Sequence, residues 1–146
     1  MIKAENLRIG DLVIVNENCS LEQGTIGKVS EVRSTPLYKE NEGSIGLKPI
    51  SNDRWPWGVL CRNIDPIPLT PEILKKNGWK KRTEGWYFMM ISKYMYLSVE
   101  FGYENGIRVF LKRTTDGLYV KLNVANNVHE LQHILWALGL DSNLKI

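Results

Sequence analysis

Three prolines stand within six positions near the middle of the chain, at Pro66, Pro68 and Pro71. Each proline fixes its own φ angle, lacks a main-chain N–H donor and pushes the preceding residue toward an extended conformation. A regular strand or helix cannot continue through such a segment. We therefore predict a boundary here, with one subdomain formed by residues 1–65 and a second formed by residues 66–146.

Short β-rich runs and no helical pattern characterise residues 1–65. Glycine or polar residues separate the expected strands, which lie within residues 7–15, 26–32, 44–50 and 57–60. Several short strands with glycine-rich turns are typical of a small barrel, which removes exposed sheet edges by closing on itself. The sequence thus predicts a closed β-barrel for the first subdomain.

Two glycine–valine patterns in this region carry a resemblance to a known fold. The first is Gly10-Asp11-x-Val13-x-Val15, and the second is Gly24-x-x-Gly27-x-Val29-x-x-Val32. Together they resemble the opening hairpin of an SH3-like barrel of the KOW type. The resemblance implies a barrel of a kind that often binds RNA or protein. The alternative is that the glycines only supply the tight turns of any small barrel.

Both ends of the second subdomain carry helix signals. Thr70 suits an N-cap, Pro71 suits the first turn, and Gly78 is a natural stop after Asn77. A closing helix is expected over residues 127–138, followed by Gly139, because its apolar residues fall within one arc of the helical wheel.

Four strands are expected between these helices, at residues 85–91, 94–101, 107–113 and 118–123. Asn105-Gly106 and Asp116-Gly117 are dipeptides favoured by two-residue type I′ hairpins. One face of this meander is apolar, so the closing helix should cover it. The predicted fold class is α+β: an N-terminal SH3-like β-barrel, then a C-terminal antiparallel β-meander with a short N-terminal helix and a closing C-terminal helix.

Composition favours an ordinary globular protein, with 43% hydrophobic and 24% charged residues. No apolar run is long enough for a membrane helix and the N-terminus lacks a secretory h-region, so we expect a cytoplasmic protein without membrane association.

Cys19 and Cys61 have no CxxC partner and are expected as free, mostly buried thiols. Residues 67–146 carry 11 Lys/Arg against 7 Asp/Glu. That excess permits nucleic-acid binding but does not establish it.

A second resemblance covers most of the chain. It rests on five segments whose order and spacing match: 6–11, 67–74, 77–79 (Asn-Gly-Trp), 128–132 and 137–138. They resemble a family of small uncharacterised proteins of gut Bacteroides-type bacteria and their phages and mobile elements. The resemblance implies a fold and a mobile-element setting, and it supplies no activity or functional residues.

The segment His129-Glu130-Leu131-Gln132-His133 fits the H-E-x-x-H pattern of zinc hydrolases, in which two histidines bind the metal and the glutamate acts as general base. Such sites need a third protein ligand. Asp141 is the only acidic residue after His133, it does not fit the expected spacing, and no histidine follows. An exposed polar helix face is therefore the favoured interpretation, with a zinc-dependent hydrolase as the alternative.

A basic and aromatic run, with Trp86 beside it, is the candidate nucleic-acid contact: Lys75, Lys76, Trp79, Lys80, Lys81 and Arg82. Cations neutralise phosphates and indole rings stack on bases. The alternative is a solvated helix end, where cations are also favourable, with Trp79 sealing the helix against the sheet.

Asp53-Arg54-Trp55-Pro56-Trp57-Gly58 is the second candidate contact, because Trp and Arg dominate binding hot spots. Alternatively, one of its tryptophans caps the barrel core and the other packs on the joint between the subdomains. A third aromatic feature, Tyr94 and Tyr96 with Tyr119, is interpreted as cross-strand packing.

No nucleophile elbow, Walker A or dinucleotide fingerprint occurs. We therefore predict a non-enzymatic binding module that engages protein or nucleic acid, with no cofactor and no metal. The predicted contact residues are Trp55, Trp57, Lys75, Lys76, Trp79, Lys80, Lys81 and Arg82. Besides the zinc hydrolase, the alternative is an accessory protein that binds a small ligand or nucleotide between its two halves.

Overall fold

Each half of the chain forms its own five-stranded antiparallel sheet. The computed structural model describes residues 2–17, 19–33, 43–51 and 55–146, so Asp53 and Arg54 of the tryptophan-containing segment lie outside the described residues. Two compact units result, Met1–Ile67 and Pro68–Ile146. The division lies two residues after the boundary expected from the prolines.

The described part of the first unit contains five strands and two short 3₁₀ helices. The strands are β1 Leu12–Val15, β2 Ile26–Arg33, β3 Ser44–Pro49, β4 Trp57–Leu60 and β5 Ile64–Pro66, and the 3₁₀ helices are Ala4–Asn6 and Cys61–Asn63. The strand order is β4-β3-β2-β1-β5. β5 was not expected, because the prolines argued against pairing. Pro66 is tolerated since β5 is an edge strand, where it lies opposite Val13.

The antiparallel β-rich character of this unit is confirmed, but the closed barrel is not. Among the described residues, β4 and β5 are the two ends of the sheet, and no pairing joins them. A close approach of β2 to β3 is a notable feature of the sheet. A Cβ at Gly27 would lie 2.6 Å from Cγ of Leu47, which is fully buried. Gly27 is therefore required by packing rather than by a turn.

Buried apolar side chains from all five strands form the core of the first unit. The core comprises Ile2, Ala4, Leu7, Val13, Val15, Val29, Ile45, Leu47, Val59, Cys61 and Ile64. Both cysteines are free, as expected. Cys61 is buried, but Cys19 is exposed, so the expectation of mostly buried thiols holds for one of them.

The second unit has two helices around its sheet. Its elements are α1 Pro71–Lys76, β6 Lys80–Thr83, β7 Trp86–Ser92, β8 Met95–Glu100, β9 Arg108–Arg113, β10 Tyr119–Val124 and α2 Val128–Ala137. The strands follow one another in the order β10-β9-β8-β7-β6. The sequence predicted four strands, and β6 is the fifth. Its four polar residues show no apolar alternation, so only pairing with β7 reveals it.

The predicted helix ends are confirmed. Thr70 is the N-cap of α1 and its side-chain oxygen accepts from the N–H of Ile73 at 3.4 Å. Gly78, with φ at 80°, follows the helix and allows the chain to reverse. Asn127 is the N-cap of α2, which ends at Ala137 before Gly139.

The two type I′ turns were predicted wrongly. Type I′ needs a positive φ at both central residues, and no described residue other than glycine has one. Gly106 closes a turn by donating to the carbonyl of Tyr103 at 3.1 Å within a longer β8–β9 loop. The β9–β10 loop is likewise longer than two residues, since the N–H of Arg113 bonds to the carbonyl of Leu118.

The second sheet has one apolar face, which the sequence predicted the closing helix would cover. Tyr87, Leu97, Val99 and Val109 lie on it and are at most 2% exposed. The inward residues of α2 are also buried, and α2 contacts β10. No helix in the described part of the chain is long and apolar enough to cross a membrane.

Candidate functional site

The opposite face of the second sheet concentrates aromatic and basic side chains. Residues directly opposite each other on paired strands project to the same face, so the register places one row of side chains from Lys80 through Phe88, Ser98 and Phe110 to Lys121. We define the aromatic face as Lys80, Arg82, Trp86, Phe88, Met90, Tyr96, Ser98, Glu100, Arg108, Phe110, Lys112, Tyr119 and Lys121.

Ring pairs bridge neighbouring strands of this face. Phe88 and Tyr96 meet edge to face, with ring centroids 5.9 Å apart, and Phe110 and Tyr119 do so at 5.7 Å. These distances lie in the range of favourable aromatic pairs. Trp86 and Phe88 on β7 continue the rings toward β6. The face therefore presents aromatic surface across four of its five strands.

Cations lie directly over several of these rings. The guanidinium carbon of Arg82 is 4.7 Å from the Trp86 ring centroid, and Nζ of Lys112 is 4.2 Å from it. Arg108 stacks at 3.8 Å on Tyr103, which lies in the loop after β8. Such cation–π contacts hold the positive charges close to the rings. Positive charge and aromatic surface thus coincide on one face.

Glu100 is the single carboxylate of the aromatic face, and it is heavily engaged. Its oxygens accept from Lys112 at 2.5 Å, from Ser98 at 3.0 Å and from the Tyr103 hydroxyl at 3.0 Å. Trp86 Nε1 donates to the Ser98 oxygen in turn. Five cations, namely Lys80, Arg82, Arg108, Lys112 and Lys121, therefore oppose one carboxylate that already has a partner.

Two opposing effects act on the pKa of Glu100. Burial favours the neutral acid and raises the pKa, whereas the hydrogen bonds from Lys112, Ser98 and Tyr103 and the charge of Lys112 lower it. The net result is a pKa below the ordinary carboxyl value. Tyr103, which donates to this carboxylate, has a raised pKa chiefly because that hydrogen bond is lost on ionisation. Glu100 is therefore an anion at neutral pH.

Several rings and cations of the face are accessible. Tyr119 is 64% exposed, and Lys80, Arg82 and Lys121 are also exposed. Trp86, Phe88 and Tyr96 are half-buried, and Phe110 is buried beneath its neighbours. Tyr119 and the three half-buried rings are consequently the groups that a ligand could stack on.

The structure separates the basic run that the sequence singled out. Lys80 pairs with Phe88 and Arg82 contacts Trp86, so both belong to the aromatic face. Lys81 lies opposite Tyr87 on the other face and forms an ion pair with Glu84 at 2.6 Å. Only two of the three adjacent cations can therefore serve one ligand on the aromatic face.

The remaining members of that run lie elsewhere. Lys75 and Lys76 are exposed in the last turn of α1, and Lys76 donates to the main-chain oxygen of Ile146. Trp79 is only 4% exposed. Its indole is part of the interior, as the alternative interpretation had it, and is not available for stacking on a base.

The tryptophans of the first unit lie at the surface. Trp55 is 89% exposed and Trp57, which begins the edge strand β4, is 41% exposed. These exposures argue against a role for both rings in packing, and a contact surface at Trp55 and Trp57 stays a prediction. Neither tryptophan belongs to the aromatic face of the second unit.

The H-E-x-x-H segment has a structural explanation in α2. The Glu130 carboxylate accepts from the main-chain N–H of the N-cap residue Asn127 at 2.9 Å, as in a capping box. His129 and His133 stack edge to face at 5.8 Å. The expected exposed polar helix face is wrong for His129 and Gln132, which are only 6% and 4% exposed because this side of α2 faces the interior. No group of three or more potential metal ligands occurs among the described residues. Because it accepts the hydrogen bond from Asn127, Glu130 stabilises the N-terminal end of α2.

Sequence reasoning missed most of the aromatic face. It named Tyr94, Tyr96 and Tyr119 together, but Tyr94 lies in the two-residue turn between Ser92 and Met95. The signal that was available is period-two alternation, which places Trp86, Phe88 and Met90 of β7 on one side. Combining the four strands required the register, which alternation within one strand does not provide.

In comparisons with known proteins, the chain matches no family model, no curated protein and no solved structure. The aromatic face and the other exposed residues are therefore the features that bear on its function.

Proposed function

We propose that the chain is a non-enzymatic binding module that takes single-stranded nucleic acid on the aromatic face of its second sheet. The observation that carries the proposal is the coincidence of accessible rings with five cations on one side of a single sheet. Rings stack on unpaired bases, and cations neutralise the phosphates that flank them.

A single strand fits this face better than a duplex does. Bases within a duplex already stack on one another, whereas unpaired bases expose the ring faces that aromatic side chains can cover. Tyr119 and Tyr96 would serve as stacking platforms, and Lys80, Arg82 and Lys121 would contact phosphates. The Lys112 ammonium neutralises Glu100, which limits repulsion of the anionic strand.

Two features of the first unit belong to the same proposal. We propose an SH3-like module for this unit, supported by a five-stranded antiparallel sheet in which β5 pairs with β1. Trp55, at 89% exposure, is proposed as a second contact for protein or for bases. From the sequence resemblance we propose that the chain is encoded on a phage or mobile element. Its two free cysteines support a cytoplasmic location.

Fluorescence anisotropy with labelled oligonucleotides of about 16 nucleotides tests the proposal. We expect binding to weaken with salt, and Arg82→Glu to make the slope of log K against log salt less negative by about 0.7 per lost phosphate contact. Lys81→Glu is the matched control, since it makes the same charge change at a neighbouring residue on the opposite face. Equal losses in both variants would show that only net charge matters.

Stacking is tested separately with Tyr119→Ala. We expect this variant to lose about 1–3 kcal/mol of binding free energy, the contribution of one stacked base. Tyr94→Ala is the control, because Tyr94 is 55% exposed but lies in a turn. The absence of oligonucleotide binding by the unaltered protein at low salt, or equal binding of a fully paired duplex, would contradict the proposal.

A further inference from the structure

The exposed cations of the aromatic face lie at the two edges of the second sheet. Among the described strands of this sheet, β6 and β10 are the edge strands. Lys80 and Arg82 project from β6, Lys121 projects from β10, and all three are exposed. None of them forms an ion pair with a carboxylate in the described part of the chain. These cations can therefore contact phosphates directly.

The two cations between these edges are held by the protein itself. Lys112 pairs with Glu100, and its side chain is only 14% exposed. The guanidinium carbon of Arg108 lies 3.8 Å from the centroid of the Tyr103 ring. The accessible positive charge is therefore divided between two groups, one at each edge of the sheet.

The distance between the two groups follows from the register. Lys80, Phe88, Ser98, Phe110 and Lys121 lie directly opposite one another on successive strands. Neighbouring strands are about 4.8 Å apart, so the four intervals place Lys80 and Lys121 about 19 Å apart. A stacked strand advances about 3.4 Å per nucleotide, so about six nucleotides span this distance, and fewer do if the bases separate to reach the rings.

Two accessible rings lie between these edges, on the path that crosses the sheet. Tyr96 on β8 and Tyr119 on β10 lie directly opposite Lys112 from its two neighbouring strands. They are therefore two strand intervals apart, about 10 Å. Each ring meets a phenylalanine edge to face, Phe88 and Phe110 respectively, which fixes its orientation. A nucleic-acid strand that crosses the sheet thus finds a stacking platform on each half of it.

A path along the strands offers less. Following β8, it passes from Tyr96 over the fully buried Ser98 to Glu100, where the carboxylate and its partner Lys112 leave no net positive charge for a phosphate. A crossing path avoids Glu100, which lies four residues farther along β8 than Tyr96. Arg82 reaches the crossing path, since its guanidinium donates to the Tyr96 hydroxyl at 3.4 Å. Both charge and ring placement favour the crossing path.

We propose that the single-stranded nucleic acid crosses all five strands of the second sheet and that its bound segment is about 4–6 nucleotides long. This inference rests on the function proposed above and adds the path and the length of the ligand. Phosphates near one end contact Lys80 and Arg82, and phosphates near the other end contact Lys121. Bases between them stack on Tyr96 and Tyr119. A short unpaired segment, such as a loop or an overhang, is long enough to fill the site.

Competition binding tests the length. Unlabelled oligothymidylates of about 2–12 nucleotides compete with a labelled strand of about 16 nucleotides, which the proposed function requires the protein to bind. We expect shortening from about six to about three nucleotides to weaken binding about tenfold or more, since three nucleotides span only about half of the distance between the edge cations. Longer strands should gain only in proportion to the number of positions that they can occupy.

The outcomes separate this inference from the proposed function. Equal affinities for strands of about three and about six nucleotides, or a steep rise that continues well beyond about eight, overturn the proposed path while the labelled strand still binds. No binding of the labelled strand overturns the proposed function as well.

Charge reversal tests the direction of the path. We expect Lys121→Glu to weaken binding of a strand of about six nucleotides about fivefold or more, and to make the slope of log K against log salt less negative by about 0.7. Lys93→Glu is the matched control, since Lys93 is an exposed cation in the β7–β8 turn, where a path along the strands would leave the sheet. Its affinity should stay within about twofold of that of the unaltered protein.

Circular dichroism confirms that both variants are folded. A larger loss in Lys93→Glu than in Lys121→Glu would indicate a path along the strands, and equal losses would indicate an effect of net charge alone. Either result overturns the crossing path.

Discussion

The carboxylate of Glu100 and the ammonium of Lys112 meet at 2.5 Å on the aromatic face, where their side chains are only 13% and 14% exposed. β8 and β9 bring them together although Glu100 lies opposite Arg108, and Lys112 opposite Tyr96, in the register. Lys112 thus lies four residues along β9 from the residue opposite Glu100, and the two long side chains extend along the strands to meet. This pairing leaves Arg108 free to stack on Tyr103 while the carboxylate is neutralised by Lys112.

Removing one partner of this pair should destabilise the second unit. In Lys112→Met, Glu100 keeps its charge in a poorly solvated position, and we expect a loss of about 1–3 kcal/mol of unfolding free energy by urea denaturation. The double variant Lys112→Met with Glu100→Gln should recover most of that loss. Lys80→Met, an exposed cation on the same face, is the control and should stay within about 0.5 kcal/mol of the unaltered protein.

The same pair predicts a loss of stability in acid. The pKa of Glu100 is lower in the folded protein than its ordinary value of 4.5. Protonation therefore favours the unfolded chain, and the contribution is fully present above that value and is lost as the pH falls through the native pKa. Urea midpoints measured between neutral and acid pH should fall less steeply in Glu100→Gln than in the unaltered protein. Parallel curves would contradict this account.

Glu130 should behave as a helix-capping residue. Glu130→Ala removes the acceptor of the Asn127 N–H, and we expect a loss of about 1 kcal/mol, measured as a lower Tm. Glu130→Gln keeps an oxygen acceptor at the same position and should retain most of the stability. If the glutamine variant were as unstable as the alanine variant, the negative charge rather than the hydrogen bond would be the stabilising feature.

Gly27 should tolerate no side chain. A methyl group there would meet the buried Leu47 at 2.6 Å, so we expect Gly27→Ala to cost about 1–3 kcal/mol through overpacking. Gly58→Ala is the matched control in the same sheet, since no atom of the described residues lies within 4 Å of a Cβ there. Chemical denaturation of both variants compares them directly. Similar stabilities would mean that β2 and β3 separate at little cost.

Much of the fold was predictable because the signals are local. Thr70, Pro71 and Gly78 mark the ends of α1 through interactions within a few residues, and Asn127 and Gly139 do the same for α2. The strands β7 to β10 were predicted close to their observed bounds, since alternating apolar residues reveal which segments are half-buried. The division of the chain near its prolines also follows from local backbone restrictions.

The candidate site was predictable only in fragments. The sequence indicated the cations near residue 80 and the tyrosines at 96 and 119, but not that they share a face. It also treated Lys80, Lys81 and Arg82 as one group, which the pairing of β6 with β7 divides between two faces. A run of adjacent charges has no fixed direction until its backbone pairs with another strand.

By itself the sequence determined where helices begin and end, which segments alternate, and that the chain divides near Pro66, because each of these depends on neighbours along the chain. Only the tertiary structure decided that β5 pairs with β1, that β6 exists, and that rings and cations from residues 80–121 share one surface. Those features depend on the strand order and register, which are set by contacts between residues far apart in sequence and by the packing of one sheet face.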